Sequence, residues 1–233
     1  MVRWNLCLPG VLSFFLMAVA ATAADGWVEL FDGKSLAGWT KAAHGKADYT
    51  VQDGAILGRT VEKSPNTFLT SDREYGDFEL EFEVRVHDEL NSGVQIRSRE
   101  KTADDIPKGS DGKGESGIGR FHGPQVEIER SPGFAGYIYG ESTKYGWLSP
   151  EPKDPAVRHS RMKNGEWNQV RVVAKGPRIQ TWVNGHPVAD LTHAASYPPP
   201  PKGKIGLQVH GIAPGTGPFD VAWRNIRIRE TGQ

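Results

Sequence analysis

The octapeptide GPQVEIER (residues 123–130) sets Gln125, Glu127 and Glu129 at alternate positions, with Val126 and Ile128 between them. On a β-strand this spacing puts a carboxamide and two carboxylates in one row on one face. Residues i and i+2 of a strand lie about 6.6–6.8 Å apart at Cα. The two carboxyls can therefore approach the separation of a retaining glycosidase pair, about 5–5.5 Å, or of an inverting pair, about 6.5–9.5 Å. Neighbouring glutamates also repel, so the row needs compensation from elsewhere in the chain.

Two other stretches phase in the same way. In NSGVQIRSR, Val94 and Ile96 share one face, while Gly93, Gln95, Arg97 and Arg99 share the other. In KIGLQVHG, Ile205, Leu207 and Val209 oppose Gln208 and His210. Three strands thus offer one face of mixed donors and acceptors, on which Arg97 is expected to offset Glu127 and Glu129. A mixed polar face bordered by aromatic rings suits a polyhydroxylated ligand, whose hydroxyls take hydrogen bonds and whose apolar ring faces stack. Phe121, Tyr137, Tyr139, Tyr145, Trp147 and Trp182 are the rings available. A merely solvated sheet face would show the same alternation.

The elements that must carry these residues are strands. DFELEFEVRV alternates Phe78, Leu80, Phe82, Val84 and Val86 with Glu79, Glu81, Glu83 and Arg85, the pattern of a half-buried antiparallel strand. WNQVRVVAK (167–175) and RIQTWVNGHPVADL (178–191) follow, the second with Asn184-Gly185 between two apolar runs, a type I′ hairpin signal. With WVELF, YTVQDGAILGRT, TFLTS and FDVAWRNIRI, about eleven strands are expected and almost no helix, only a short one near Ala156–Lys163. Many strands with short, turn-rich connections predict an all-β fold: a two-sheet antiparallel β-sandwich of jelly-roll type over residues 25–233. Residues 100–122 read as a long Gly-rich loop, residues 131–166 as irregular, and Pro198–Pro201 as a rigid spacer.

Residues 1–24 stand apart from this domain. One Arg, a short apolar run and A-x-A before Asp25 are the features of a secretory signal peptide, which predicts a secreted or periplasmic protein with no membrane attachment after cleavage. Cleavage removes Cys7, the one cysteine, and with it thiol and disulfide chemistry. The charge of the whole sequence is balanced, 28 Lys+Arg against 28 Asp+Glu, without the basic footprint of a nucleic-acid binder. The seven histidines show no metal-binding spacing. Asp104, Asp105, Asp111 and Glu115 are able to hold a hard cation, but their Gly/Ser company reads as a solvated loop. No nucleophile elbow, phosphate loop or dinucleotide fingerprint is present.

Two resemblances bear on the chemistry. Q-x-E-x-E resembles the E-x-D-x-E strand of laminarinase- and lichenase-type jelly-roll glycosidases, but the nucleophile's position holds Gln125, which cannot attack an anomeric carbon. More extensively, WVELFDGKSLAGW, YTVQDGAILG, NTFLTSDREYGDFELEFEVRV, NSGVQIRSR, GPQVEIE, GEWNQVRVVAKGPRIQTWVNG and GKIGLQVHG…VAWRNIRI resemble, in order, successive blocks of the 3-keto-disaccharide hydrolase domain family. That family is also described as 3-keto-glucoside lyase/hydratase-like and has a concanavalin A-like sandwich. The resemblance implies a glycoside substrate already oxidised at C3. The ketone acidifies the hydrogen at C2, a base removes it, and the group at C1 departs by elimination before water adds. Gln125 fits such a route, which needs no carboxylate nucleophile. In it Glu127 is the expected base, and Arg97 and His210 are the expected stabilisers of the enolate. Asn91, Gln125 and Glu129 orient hydroxyls; His122 and Tyr137, expected on flanking loops, are second choices; Gln95, Gln208 and Trp147 complete the substrate-binding set. Some members have been associated with a divalent metal ion, for which this sequence identifies no ligands. The competing readings are a carbohydrate-binding module without chemistry, which the same face would serve, and a conventional glycosidase pairing Glu127 with Glu129.

Overall fold

The computed structural model describes residues 25–106, 108, 117–149, 158–196 and 202–231. The signal-like segment, Asp111, Glu115 and the run Pro198–Pro201 lie outside the described residues. Among the described residues fifteen strands are present: β1 Val28–Glu29, β2 Trp39–Lys41, β3 Asp48–Gln52, β4 Ala55–Arg59, β5 Thr67–Ser71, β6 Phe78–Val86, β7 Ser92–Glu100, β8 Phe121–Ile128, β9 Ile138–Glu141, β10 Gly146–Trp147, β11 Asn168–Lys175, β12 Arg178–Val183, β13 His186–Thr192, β14 Lys204–Val209 and β15 Asp220–Glu230. The excess over eleven comes mostly from the short strands β2, β9 and β10. Residues 158–163 form no helix; His159 instead makes an isolated bridge to Gly133.

Both sheets are antiparallel, as the alternation predicts. The first runs β13-β12-β11-β6-β15-β4-β3, with β1 added to β15, and the second runs β10-β9-β8-β7-β14-β5-β2. Leu80, Phe82, Val84, Val172, Trp223 and Ile228 of the first sheet share one core with Val94, Ile96, Val126, Ile128, Ile205 and Leu207 of the second. Each such side chain contributes about 1.5–3 kcal/mol by leaving water, so stacking the two faces drives the sandwich. The Asn184-Gly185 turn between β12 and β13 has φ of 50° and 77°, the double positive φ of a type I′ hairpin.

The glutamate row of β6 faces outward from the first sheet and is neutralised by arginines of β11 and β15. Arg229 meets Glu79 at 2.6 Å, Arg227 meets Glu81 at 2.6 Å and Arg224 meets Glu83 at 2.7 Å, while Arg171 pairs with Glu79. These guanidinium groups also cover Trp27, Trp167 and Trp182. Trp182 therefore belongs to this ladder, on the opposite side of the molecule from the mixed polar strands.

Candidate functional site

The outer face of the second sheet collects most of the expected polar residues. In register, Gly93 of β7 lies between Glu127 of β8 and Gln208 of β14, and Phe68 of β5 follows Gln208. The next row runs Tyr139, Gln125, Gln95, Gly206 and Thr70. Continuing the ladder one step past Ser92 and Val209 sets Glu129, Asn91 and His210 in a third row. Phe68, Phe121 and Ala42 make a small apolar cluster on this face, separate from the main core.

Two strand glycines make room for long side chains. A Cβ on Gly93 would lie 2.4–2.6 Å from Gln125, whose carboxamide therefore lies across Gly93. A Cβ on Gly206 would meet the Phe121 ring at 2.5 Å. Real Cβ atoms do not tolerate such distances, so each glycine is a close-approach position.

Glu127 is the centre of the arrangement. Its side chain is nearly covered, at 7% exposure. Asn91 Nδ2 donates to Oε1 at 2.5 Å and Gln125 Nε2 donates to Oε2 at 3.3 Å. Burial pushes the carboxyl up to about 7; the two amide donors pull it down, and the charges of Glu129 and Glu141 add to the rise. Glu129 is committed elsewhere, accepting the Phe134 N–H at 2.5 Å. A cleft of about 310 Å³ lined by Asp88, Glu89, Leu90, Asn91, Glu129 and Arg130 opens beside Asn91.

An aromatic edge borders the row. Tyr139 and Trp147 meet edge-on at 5.3 Å, Phe134 and Trp147 at 5.7 Å, and Phe134 and Tyr137 at 6.4 Å between ring centroids. The backbone ties this edge to the acid: Glu127 N–H donates to Tyr137 O at 2.9 Å, and Gly136 N–H donates to Glu127 O at 2.8 Å. Tyr145 turns away, its hydroxyl donating to Ala195 O at 3.0 Å. His210 Nδ1 donates to Gly211 O at 2.7 Å, which leaves Nε2 for a ligand.

Arg97 does not join this face. A bulge shifts the β7–β8 register between Gln95 and Arg99, and Arg97 sits in it at φ 48°. Its guanidinium turns toward the first sheet, donating to Gly76 O at 2.7 Å, Gly176 O at 2.6 Å and Asp77 Oδ1 at 2.8 Å. Only 2% of the side chain is exposed, so Arg97 clamps the two sheets and does not face a ligand. His122 does not sit on a flanking loop either: it lies within β8, and alternation gives it the face of Val126 and Ile128, opposite to that of Glu127. Burial, then Arg99, pushes its pKa down to about 4, so it is neutral near pH 7.

A cation that this face does hold is Arg120, which sequence reasoning passed over. Buried, it pairs with Glu141 of β9, donates to Asn66 O at 3.0 Å and lies 5.4 Å from the Phe68 ring centre. Asn66 Nδ2 in turn donates to Glu141 Oε1 at 3.3 Å. Alternation in YIYGE (137–141) was the available signal for Glu141; for Arg120, at the end of a Gly-rich loop, there was none. Of the acidic group in residues 104–115, Asp105 is taken by Arg99 at 2.6 and 2.7 Å. Among the described residues no three His, Cys, Asp or Glu side chains gather where they could hold one metal ion.

A nearly covered carboxyl fixed by two amides, beside buried carboxamides and an aromatic edge, can take a proton from a bound polyhydroxyl compound near neutral pH. Comparison with known proteins gives this geometry a family. Residues 26–229 match the 3-keto-alpha-glucoside-1,2-lyase-like domain. A 3-keto-disaccharide hydrolase of Bacteroides thetaiotaomicron is 24% identical over 241 residues, covering 88% of this chain and 79% of that protein. The fold recurs in a candidate glycosyl hydrolase of Parabacteroides distasonis, at TM-score 0.57 and 20% identity over 90% of this chain and 95% of that one. It recurs again in the carbohydrate-binding module CBM66 of Bacillus subtilis, at TM-score 0.54 and 14% identity over 83% and 96%. These two likenesses concern the fold alone. The chain belongs to the 3-keto-alpha-glucoside-1,2-lyase-like domain family, a carbohydrate-active, hydrolase-like family.

Proposed function

We propose that this protein cleaves 3-keto-glycosides by elimination, with Glu127 as the base that removes the hydrogen at C2. The observation that carries this reading is the state of Glu127: covered, gripped by Asn91 and Gln125, and raised to about 7, where a carboxylate is a useful base near neutral pH. Removing the C2 proton moves its electron pair into the C2–C3 bond and charge onto the C3 oxygen. The C1–O bond then breaks, its oxygen taking a proton from water, and leaves an unsaturated ketone to which water adds. Tyr137, Tyr139 and Trp147 border the ring, and His210 Nε2 hydrogen-bonds a hydroxyl. Gln125 stands where a retaining glycosidase needs its nucleophile, and Glu129 is engaged with Phe134, so a two-carboxylate mechanism has less support.

The test is turnover of 3-keto-trehalose and 3-keto-sucrose beside their unoxidised parents. Cleavage of the keto forms alone, abolished in a folded Glu127→Gln variant, is expected. Near-wild-type activity in that variant refutes the base assignment. Cleavage of the parents alone means an ordinary glycosidase, and binding without turnover means a binding module.

A further inference from the structure

Gln208 is the least explained side chain on the polar face. It is 0% exposed, yet neither its Oε1 nor its Nε2 has a hydrogen-bond partner among the described residues. Gln125 Oε1 is likewise buried and unpartnered. An orphaned buried amide forfeits its hydration without return, and each one in a folded protein needs a reason. Gln208 also has a defined place: the same row as Glu127, two strands away, with Gly93 between them. Two strand spacings are about 9.6 Å. A hydrogen-bond length at each end, about 3 Å, leaves a gap that fits the C2–C3–O segment of one sugar ring. The Gln125 carboxamide now lies across that gap, over Gly93, held to Glu127 by a bond of 3.3 Å, at the long end for such contacts.

We propose that Gln208 is the oxyanion donor of this site: its Nε2 donates to the C3 carbonyl oxygen of a 3-keto ring that displaces the Gln125 carboxamide and lies between Gln208 and Glu127. This rests on the elimination reading above and names the group that holds the developing charge. The C2–H proton goes to the Glu127 carboxylate, the C–H pair becomes the C2–C3 double bond, and the carbonyl pair moves onto the oxygen facing Gln208. Nothing is oxidised or reduced. A neutral amide suits the task, because the charge it meets appears only as the proton leaves, and a donor aimed at that point favours the transition state over the bound substrate.

Gln208→Leu separates this role from a structural one. Replacing an unsatisfied buried amide by an apolar side chain of like shape is neutral or stabilising. The expected result is an unchanged or higher melting temperature together with a loss of about 10²–10³-fold in kcat on 3-keto-trehalose, the usual cost of one oxyanion donor. Binding gives a second readout: in a Glu127→Gln background the preference for 3-keto-trehalose over trehalose, measured by calorimetry, should disappear when Gln208→Leu is added. Wild-type kcat in Gln208→Leu, or an unchanged keto preference, overturns the proposal while the elimination reading stands. If the wild-type protein turns over no 3-keto-glycoside, the elimination reading fails and takes this proposal with it.

Discussion

Glu127 should leave its mark on stability even with no substrate present. Its ordinary value is 4.5, and the folded protein raises it to about 7. Between those pH values the unfolded chain has released this proton while the native site still holds it. The native state therefore binds more protons, and stability falls as pH rises through that window. The stability is fully present below pH 4.5 and lost above about pH 7. A displacement of that size is worth about 3 kcal/mol, at roughly 1.4 kcal/mol per pH unit. In a domain of this length it amounts to about 6–12 °C in melting temperature. The Glu127→Gln variant carries no such proton, and its side-chain oxygen can still accept from Asn91. Melting both proteins at pH 4.5, 6 and 8 isolates the group, since every other titration is common to the two. The variant should gain on the wild type by those few kcal/mol as pH rises. Parallel curves would refute the claim that Glu127 is a covered acid held near neutrality, and the base assignment would lose its physical support.

Two further substitutions test the surroundings. Asn91 is the stronger of the two donors that lower the Glu127 carboxyl, so Asn91→Leu should move the midpoint of the kcat/KM–pH profile upward, and by more than Gln125→Leu does; equal or downward shifts would contradict the assignment. Arg97→Leu removes a buried guanidinium bonded to Gly76, Gly176 and Asp77 and should cost about 3–5 kcal/mol in denaturant unfolding, with kcat retained below the transition. Lost activity at unchanged stability would return Arg97 to the active site.

The sandwich was legible because one physical rule, apolar residues inward on every second position, governs nearly every strand. Phe78 to Val86 alternate in the structure as they do in the sequence, and Asn184-Gly185 announces its hairpin because few other dipeptides accept two positive φ values. Alternation fails where a strand bulges. NSGVQIRSR reads as unbroken, yet Arg97 adopts φ 48°, and its guanidinium finds three oxygen acceptors in the connections flanking strands of the other sheet. Those acceptors lie some 20 and 79 residues away in sequence, so no local pattern could report them. The Arg120–Glu141–Asn66 group was hidden for the same reason: its members come from three separate segments, and only folding brings them together.

The two outer faces explain why the site belongs to the second sheet. Both carry glutamates in alternation, and both looked polar in the sequence. On the first sheet each of Glu79, Glu81 and Glu83 meets an arginine from a neighbouring strand, so that face satisfies itself. On the second, Glu127 has carboxamides as its polar partners, and Gln95, Gln125 and Gln208 retain buried atoms without partners among the described residues. An ion-pair ladder stabilises the carboxylate and lowers its basicity. Neutral amides fix a carboxylate's position while leaving it basic, and unsatisfied ones leave hydrogen bonds for a sugar's oxygens to complete. Gly93 and Gly206 enforce the difference, because a side chain at either position would fill the space that Gln125 and Phe121 occupy. The chemistry therefore follows from which neighbours the strands bring to each acid, and far less from the acids themselves.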